Sequence, residues 1–293
     1  MNILEYDYIK SVFNKKIFEN SRKDLIEKLS KYPSRYIGLF RPTKPFTKII
    51  QNITQSHEIK FGDAFEILIR LCFEESGYNS LNRTLKLKNG DTVNFDQLFS
   101  KDNSIVFIEQ KLRDDHDSTK KRGQIENFEK KLNYLIEMGY DNIRSYIYFI
   151  DDSLNKNQKY YLEQIEKLRD FYNVHIELCY GNQLFEQENM LNLWEHEIID
   201  FLRTWRNDLP DLPEINFDLT YTETFEEIKD LSPSVFRSLF DNDEIINIIF
   251  PIIFPERKTL YLLLGHFKDI SESNSKNSTL YAKLHSKLEN ILK

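Results

Sequence analysis

The chain has little with which to cross-link or interrupt itself. Its two cysteines, Cys72 and Cys179, sit in apolar stretches with no partner spacing. That excludes a disulfide framework and a cysteine zinc site, and predicts buried thiols in a reducing compartment. Alanine is almost absent, and eight prolines and eight glycines in 293 residues rule out a low-complexity chain. The most apolar run, "IINIIFPIIF" at 245–254, is too short to span a bilayer and is broken by Pro251. No secretory pattern opens the chain, so a cytoplasmic protein is expected.

Positive charge is not in excess either. Forty Lys and Arg stand against 47 Asp and Glu, a net −7 that does not advertise a nucleic-acid binder. The charges are unevenly spread, however. Residues 1–60 hold twelve Lys and Arg against six Asp and Glu, whereas 195–249 hold four against fourteen. Separated poles allow a polyanion to bind one side of an acidic protein, although a solvated face reads the same way.

What is present is the composition of a folded protein, 40% hydrophobic and 30% charged, with length enough for one large domain or two modest ones. Leu25, Ile26 and Leu29 make an apolar stripe after Ser21, which predicts a helix ending near residue 32. "KYPSRYIGLFRPTKPF" then predicts a loop. It carries Arg35, Arg41 and Lys44 beside Tyr36, Phe40 and Phe46, residue types that suit phosphate contact with stacking or groove insertion. A helix through 61–77 follows, with Glu66 inside its apolar part. Two strand-like runs, "RTLKLKN" and "TVNFDQLF", meet at the turn signal Asn89-Gly90, and a third, "SIVFIEQK", comes after Lys101–Asn103. "DDHDSTKKRG" reads as a loop and "QIENFEKKLNYLIEMGY" as a helix. Strand "IRSYIYFID", helix "LNKNQKYYLEQIEKLRDFY" and strand "VHIELCY" complete an alternation that implies a mixed central sheet flanked by helices, an α/β fold. A helix is expected over 184–206, then a Pro- and Asp-rich boundary. Beyond it come a short helix near 234–240, a strand at "TLYLLLGHF" and a terminal helix from Thr279.

The third strand carries the chemistry. Alternate strand residues share a face, so Ile105, Phe107, Glu109 and Lys111 point the same way. An apolar strand thus delivers a carboxylate and an ammonium to its far end. Charged groups avoid such places unless something pairs with them. Asp96 stands thirteen residues before Glu109, on a second apolar-flanked segment. Two hard carboxylates are a donor set that suits Mg²⁺.

An aspartate entering one strand and Glu-x-Lys ending the next resembles the signature of the PD-(D/E)XK nucleases. "SHEIKFGDAFE", "NFDQLF", "EQKLRDDHDSTKKRGQ" and "GLFRPTKPFTK" narrow the resemblance to type II restriction endonucleases of that superfamily, over roughly residues 35–150. The usual proline before the first aspartate is replaced by Phe95. The resemblance implies a restriction-endonuclease-like core that hydrolyses double-stranded DNA at a short site with Mg²⁺. It implies Asp96, Glu109 and the backbone carbonyl of Gln110 as metal ligands, Lys111 as the catalytic lysine and Glu66 as an accessory acid. Gln124 resembles a polar residue near the scissile phosphate. In the charged stretch 113–124, Arg113, Lys120, Lys121 and Arg122 are candidates for phosphates, and Asp114, Asp115, His116, Asp117 and Ser118 for base edges.

Three regions are expected: a helical, basic DNA-contacting part at 1–50, the nuclease core at 51–206, and an α+β part at 207–293. A restriction enzyme implies a cognate methyltransferase as its functional partner. A palindromic site implies a homodimer, to which residues 210–293 could contribute a contact, although the apolar run from Ile245 to Phe254 reads more readily as the core of that region itself. A resolvase or repair nuclease on the same core, or a non-catalytic DNA-binding module, stays open at this point.

Overall fold

The computed structural model describes residues 5–86, 90, 92–273 and 276–293. Internal contacts gather them into two units interleaved along the sequence: residues 1–16 with 61–209, and residues 17–60 with 210–293.

The first unit holds a five-stranded mixed sheet in the order β1-β4-β5-β6-β7. Its strands are β1 (Asn79–Ser80), β4 (Gln97–Lys101), β5 (Ser104–Lys111), β6 (Ile143–Phe149) and β7 (His175–Tyr180). β5 pairs antiparallel with β4 and parallel with β6, and β6 pairs parallel with β7. The hairpin between β4 and β5 turns through Asp102 and Asn103, whose φ values of 48° and 62° suit a tight two-residue turn. The expected run "TVNFDQLF" divides in two. β2 (Thr84–Lys86) and β3 (Thr92–Asn94) form a separate two-stranded sheet, and the chain bends at Phe95 and Asp96 before β4. Gly90 has φ +89°, in keeping with a turn, while Asn89 lies outside the described residues.

Helices cover both faces of the sheet. The chain opens with α1 (Tyr6–Phe18); α2 (Ser21–Lys31) and the single turn α3 (Ser34–Ile37) follow and belong to the second unit. Ser21 is the first residue of α2 rather than its cap, and its hydroxyl meets His57 Nε2 at 3.0 Å. Helix α4 (Pro45–Glu75) begins sixteen residues before the predicted 61. A proline is compatible with a first helical turn because its missing N–H has no intrahelical partner there. Residues 61–75 of α4 lie on one face of the sheet, where Phe73 stacks on Phe99 at 4.8 Å. On the other face lie α5 (Ser118–Glu137), where Phe128 stacks on Phe107 at 5.0 Å, and α6 (Gln158–Tyr172), where Tyr161 packs on Phe149. Helix α5 starts inside the expected loop because Asp117 caps it, accepting from the N–H groups of Thr119 and Lys120 at 3.0 and 2.9 Å. The expected helix at 184–206 is interrupted at Asn189, whose φ is 59°. Cys72 and Cys179 are buried free thiols.

Among the second unit's described residues there are helices and loops and no strand. Leu25, Ile26 and Leu29 of α2 share a core with Phe236, Leu263, Phe267 and Leu288. The stretch "TLYLLLGHF", expected as a strand, belongs to the helix Lys258–Glu272. Its buried Leu260, Leu263 and Phe267 follow helical spacing, and only Thr259 in it is β-branched. The apolar run is also a core element. Ile245, Ile249, Phe250, Ile253 and Phe254 are all buried and line this unit's interior. Among the described residues no helix is long and apolar enough to cross a membrane.

Candidate active site

The end of β5 and the bend before β4 meet by register. Gln97 pairs with Ile108 across the antiparallel ladder, so Asp96, one residue back, falls opposite Glu109, one residue on. Asp96 Oδ2 accepts from the backbone N–H of Gln110 at 2.9 Å and from Lys111 Nζ at 2.8 Å. Lys111 Nζ also donates to Glu109 Oε1 at 3.1 Å and to the Gln110 carbonyl at 2.8 Å. Three oxygens from three residues therefore converge on one cationic nitrogen. Burial alone would lower the Lys111 pKa, but the Glu109 and Asp96 carboxylates outweigh it and push it up to about 12. Lys111 is an ammonium at any pH near neutrality.

Glu109 is the deepest member, 3% exposed, and α5 supplies its remaining partners. Lys131, itself 4% exposed, donates to Glu109 Oε2 at 2.5 Å and stands 3.8 Å from Asp96 Oδ1. Asn127, one turn earlier on α5, donates to Glu109 Oε1 at 3.2 Å. Two carboxylates and two ammonium groups thus form a charge-balanced cluster, with Glu109 and Lys131 buried and Asp96 and Lys111 partly so, a pairing that lets ionised groups persist away from water.

Glu66 approaches from α4 through Arg83. The Arg83 guanidinium donates to Glu66 Oε2 at 3.1 Å and to the Asp96 carbonyl at 2.9 Å. Burial, and then the Asp96 charge, raise the Glu66 pKa above its ordinary value, while Arg83 opposes the rise. Gln97 fixes the same helix to the sheet by donating to the Glu66 carbonyl at 2.6 Å.

The structure brings Asp96, Glu109, Lys111 and the Gln110 carbonyl to one point and sets Glu66 one guanidinium away. Among the described residues no group of three or more His, Cys, Asp or Glu side chains offers itself to a metal. The donor set is two carboxylates and a carbonyl, all hard oxygen. It suits a small divalent cation such as Mg²⁺ and not a nitrogen- and sulfur-loving one such as zinc.

Arg83, Asn127 and Lys131 were not singled out from the sequence. For Lys131 a signal exists: it lies between Phe128 and Leu135 at helical spacing, a lysine inside the apolar stripe of α5. Arg83 carries no comparable mark.

The charged stretch after β5 is divided by the structure. Asp114 is fully buried, and its carboxylate accepts from Asn157 N and Nδ2 and from Tyr180 Oη, each at 2.8 Å. It anchors the loop to α6 and β7 and cannot read a base edge. Asp115, Asp117 and Ser118 are exposed, and Asp117 spends one oxygen on its cap. Arg113 lies 3.8 Å from Asp151. His116 is half-buried and touches Gln124 at 3.3 Å; burial lowers its pKa, so the ring is neutral at pH 7. Gln124 in turn accepts from Tyr161. Lys120, Lys121 and Arg122 stand on the first turns of α5 rather than in a loop, with Lys121 over the Tyr160 ring at 4.5 Å. In the second unit Arg35, Arg41 and Lys44 are exposed, Arg35 lying over Tyr32. Beside them Leu39 and Phe40 are 89% and 96% exposed, while Tyr36 is buried and pins the segment.

Neither a curated protein nor a solved structure matches the chain. A family model does, that of the HinfI type II restriction endonucleases, over residues 5–89 and 78–206. These overlapping stretches cover more than half of the chain and include every residue of the cluster at β5. The chain therefore belongs to the HinfI family of type II restriction endonucleases, DNA hydrolases that cleave at specific sites.

Proposed function

We propose that the protein hydrolyses phosphodiester bonds of double-stranded DNA at a short recognition sequence with Mg²⁺, as the cutting half of a restriction–modification system. The observation that carries the proposal is the convergence of Asp96, Glu109 and the Gln110 carbonyl on one cation, Lys111 Nζ. In this reading those three oxygens hold the metal, which when bound supplies charge neutralisation at the phosphate and a more acidic water. Lys111 keeps the two carboxylates together before substrate arrives. Its long, flexible stem then lets the ammonium turn to the attacking water and the charge developing on the phosphate. Lys131 and Asn127 hold Glu109 in place, and Arg83 does the same for Glu66 as an accessory acid.

DNA contact is assigned to exposed and half-buried groups. Arg41, Lys44, Arg35, Lys120, Lys121 and Arg122 suit phosphates. Arg113, Asp115, His116, Asp117, Ser118 and Gln124 border the end of β5, where they suit discrimination. Exposed Phe40 is shaped to wedge at a groove. The partner in biology is a DNA methyltransferase that protects the host site, and the compartment is the cytoplasm.

Purified protein incubated with plasmid DNA and Mg²⁺ tests the reading. Discrete bands are expected. A smear, or cutting confined to branched DNA, would assign the chain to structure-directed cleavage instead.

One cluster cuts one strand per engagement, so a palindromic site is met most simply by a two-fold dimer. Light scattering on the protein–DNA complex should give two chains per duplex. A single chain that nicks each strand in a separate encounter would exclude the dimer.

A further inference from the structure

Next to the catalytic cluster is a cavity of about 440 Å³ lined by Arg70, Glu74, Ser80, Asn82, Arg83 and Gln97, with a few further residues. Arg83 ties it to the cluster, because the same guanidinium reaches Glu66 and the Asp96 carbonyl. Arg70 lies one turn beyond Glu66 on α4 and is half-buried. No hydrogen bond or ion pair engages it among the described residues. Glu74, the carboxylate in the cavity, accepts from Ser80 Oγ at 2.5 Å. Burial, and then the adjacent Arg83 charge, pull the Arg70 pKa below its ordinary value. Glu74 and Glu66, one turn to either side on α4, oppose that fall without bonding to Arg70, so its guanidinium keeps free donors and, beside Arg83, can receive an oxyanion. A second feature points to a ligand as well. Gln97 lines the cavity, is 0% exposed, and its Oε1 has no hydrogen-bond partner. Buried acceptors are rarely left so.

We propose that this cavity is a second phosphate site. It takes a backbone phosphate of the DNA strand beside the scissile one, with Arg70 as the anchoring charge and Arg83 beside it. The proposal rests on the assignment of Asp96, Glu109 and Lys111 as the cutting centre. The cavity is large enough for a phosphate with its hydration, and ordered water commonly completes such contacts. A phosphate contact positions the strand without reading its sequence.

The test is Arg70→Gln, with DNA affinity measured by fluorescence anisotropy in EDTA over a range of salt. Affinity should fall about tenfold, equally for cleavable and unrelated duplexes. The log–log salt slope should shrink by about 0.9, the share of one phosphate. Arg70→Lys, which keeps the charge, should restore the slope. Neutral methylphosphonates placed singly near the cut should weaken the wild type at one position to which Arg70→Gln is indifferent. Unchanged affinity and slope in a variant that melts like the wild type would overturn the proposal. So would a loss confined to cleavable duplexes, which marks a base contact, or inorganic phosphate binding at Arg70 with DNA affinity unaltered. Asp96→Ala run alongside separates the two readings. If it still cuts, the centre is misassigned, whereas the Arg70 slope reports the phosphate site in either event.

Discussion

Asp96→Ala or Lys111→Ala should abolish DNA cleavage, by on the order of a thousandfold or more, and leave DNA affinity near that of the wild type. Asp96 provides one of three oxygens at the point of convergence and also accepts from the Gln110 N–H, so its removal loosens the end of β5. Among the described residues, Lys111 is the only side chain that touches both Asp96 and Glu109 within 3.1 Å. Lys111→Arg should not rescue activity, because a planar fork cannot occupy the point that an ammonium does. Affinity survives since binding draws on basic groups elsewhere on the chain. Plasmid conversion over time, with anisotropy binding in parallel, checks both halves. Cutting retained by either alanine variant would place the centre elsewhere.

Asp114→Ala should be the most destabilising single change in the loop after β5, by about 3–5 kcal/mol. The carboxylate takes three hydrogen bonds of 2.8 Å in a fully buried position. Alanine would strand the N–H and Nδ2 of Asn157 and the Tyr180 hydroxyl without acceptors. Asp114→Asn keeps one acceptor but turns a donor toward donors, so a smaller loss of about 2 kcal/mol is expected. Urea unfolding midpoints measure both. A midpoint unchanged in Asp114→Ala would contradict the anchoring role and return the residue to solvent.

Asp114 also shows where the sequence could be read and where it could not. Glu109 and Lys111 were legible because a strand fixes side-chain direction by residue parity. A charged pair ending an apolar run therefore announces a shared buried face. Asp96 followed from its place on the preceding hairpin arm. Asp114, by contrast, sits in a run of charges that looks solvated. Its burial depends on Asn157 and Tyr180, 43 and 66 residues away in sequence. Arg83 is hidden for the same reason, since its partners lie on α4 and at the bend before β4. The run at 258–272 failed differently. An unbroken apolar stretch has no alternation to mark a strand, and leucine-rich spacing should have weighed more than length. The early start of α5 was written in Asp117-Ser118, a cap signal masked by the charges around it.

The central claim is that Asp96, Glu109 and the Gln110 carbonyl form the metal site of this nuclease. Iron-directed cleavage tests it most directly. With Fe²⁺ and ascorbate in place of Mg²⁺, hydroxyl radicals break the polypeptide next to the bound ion, and mass spectrometry locates the breaks. The account predicts fragments ending near Asp96 and near residues 109–111, suppressed by excess Mg²⁺ and absent from Asp96→Ala. Breaks clustered at other carboxylates, or a pattern that Asp96→Ala leaves unchanged, would contradict it.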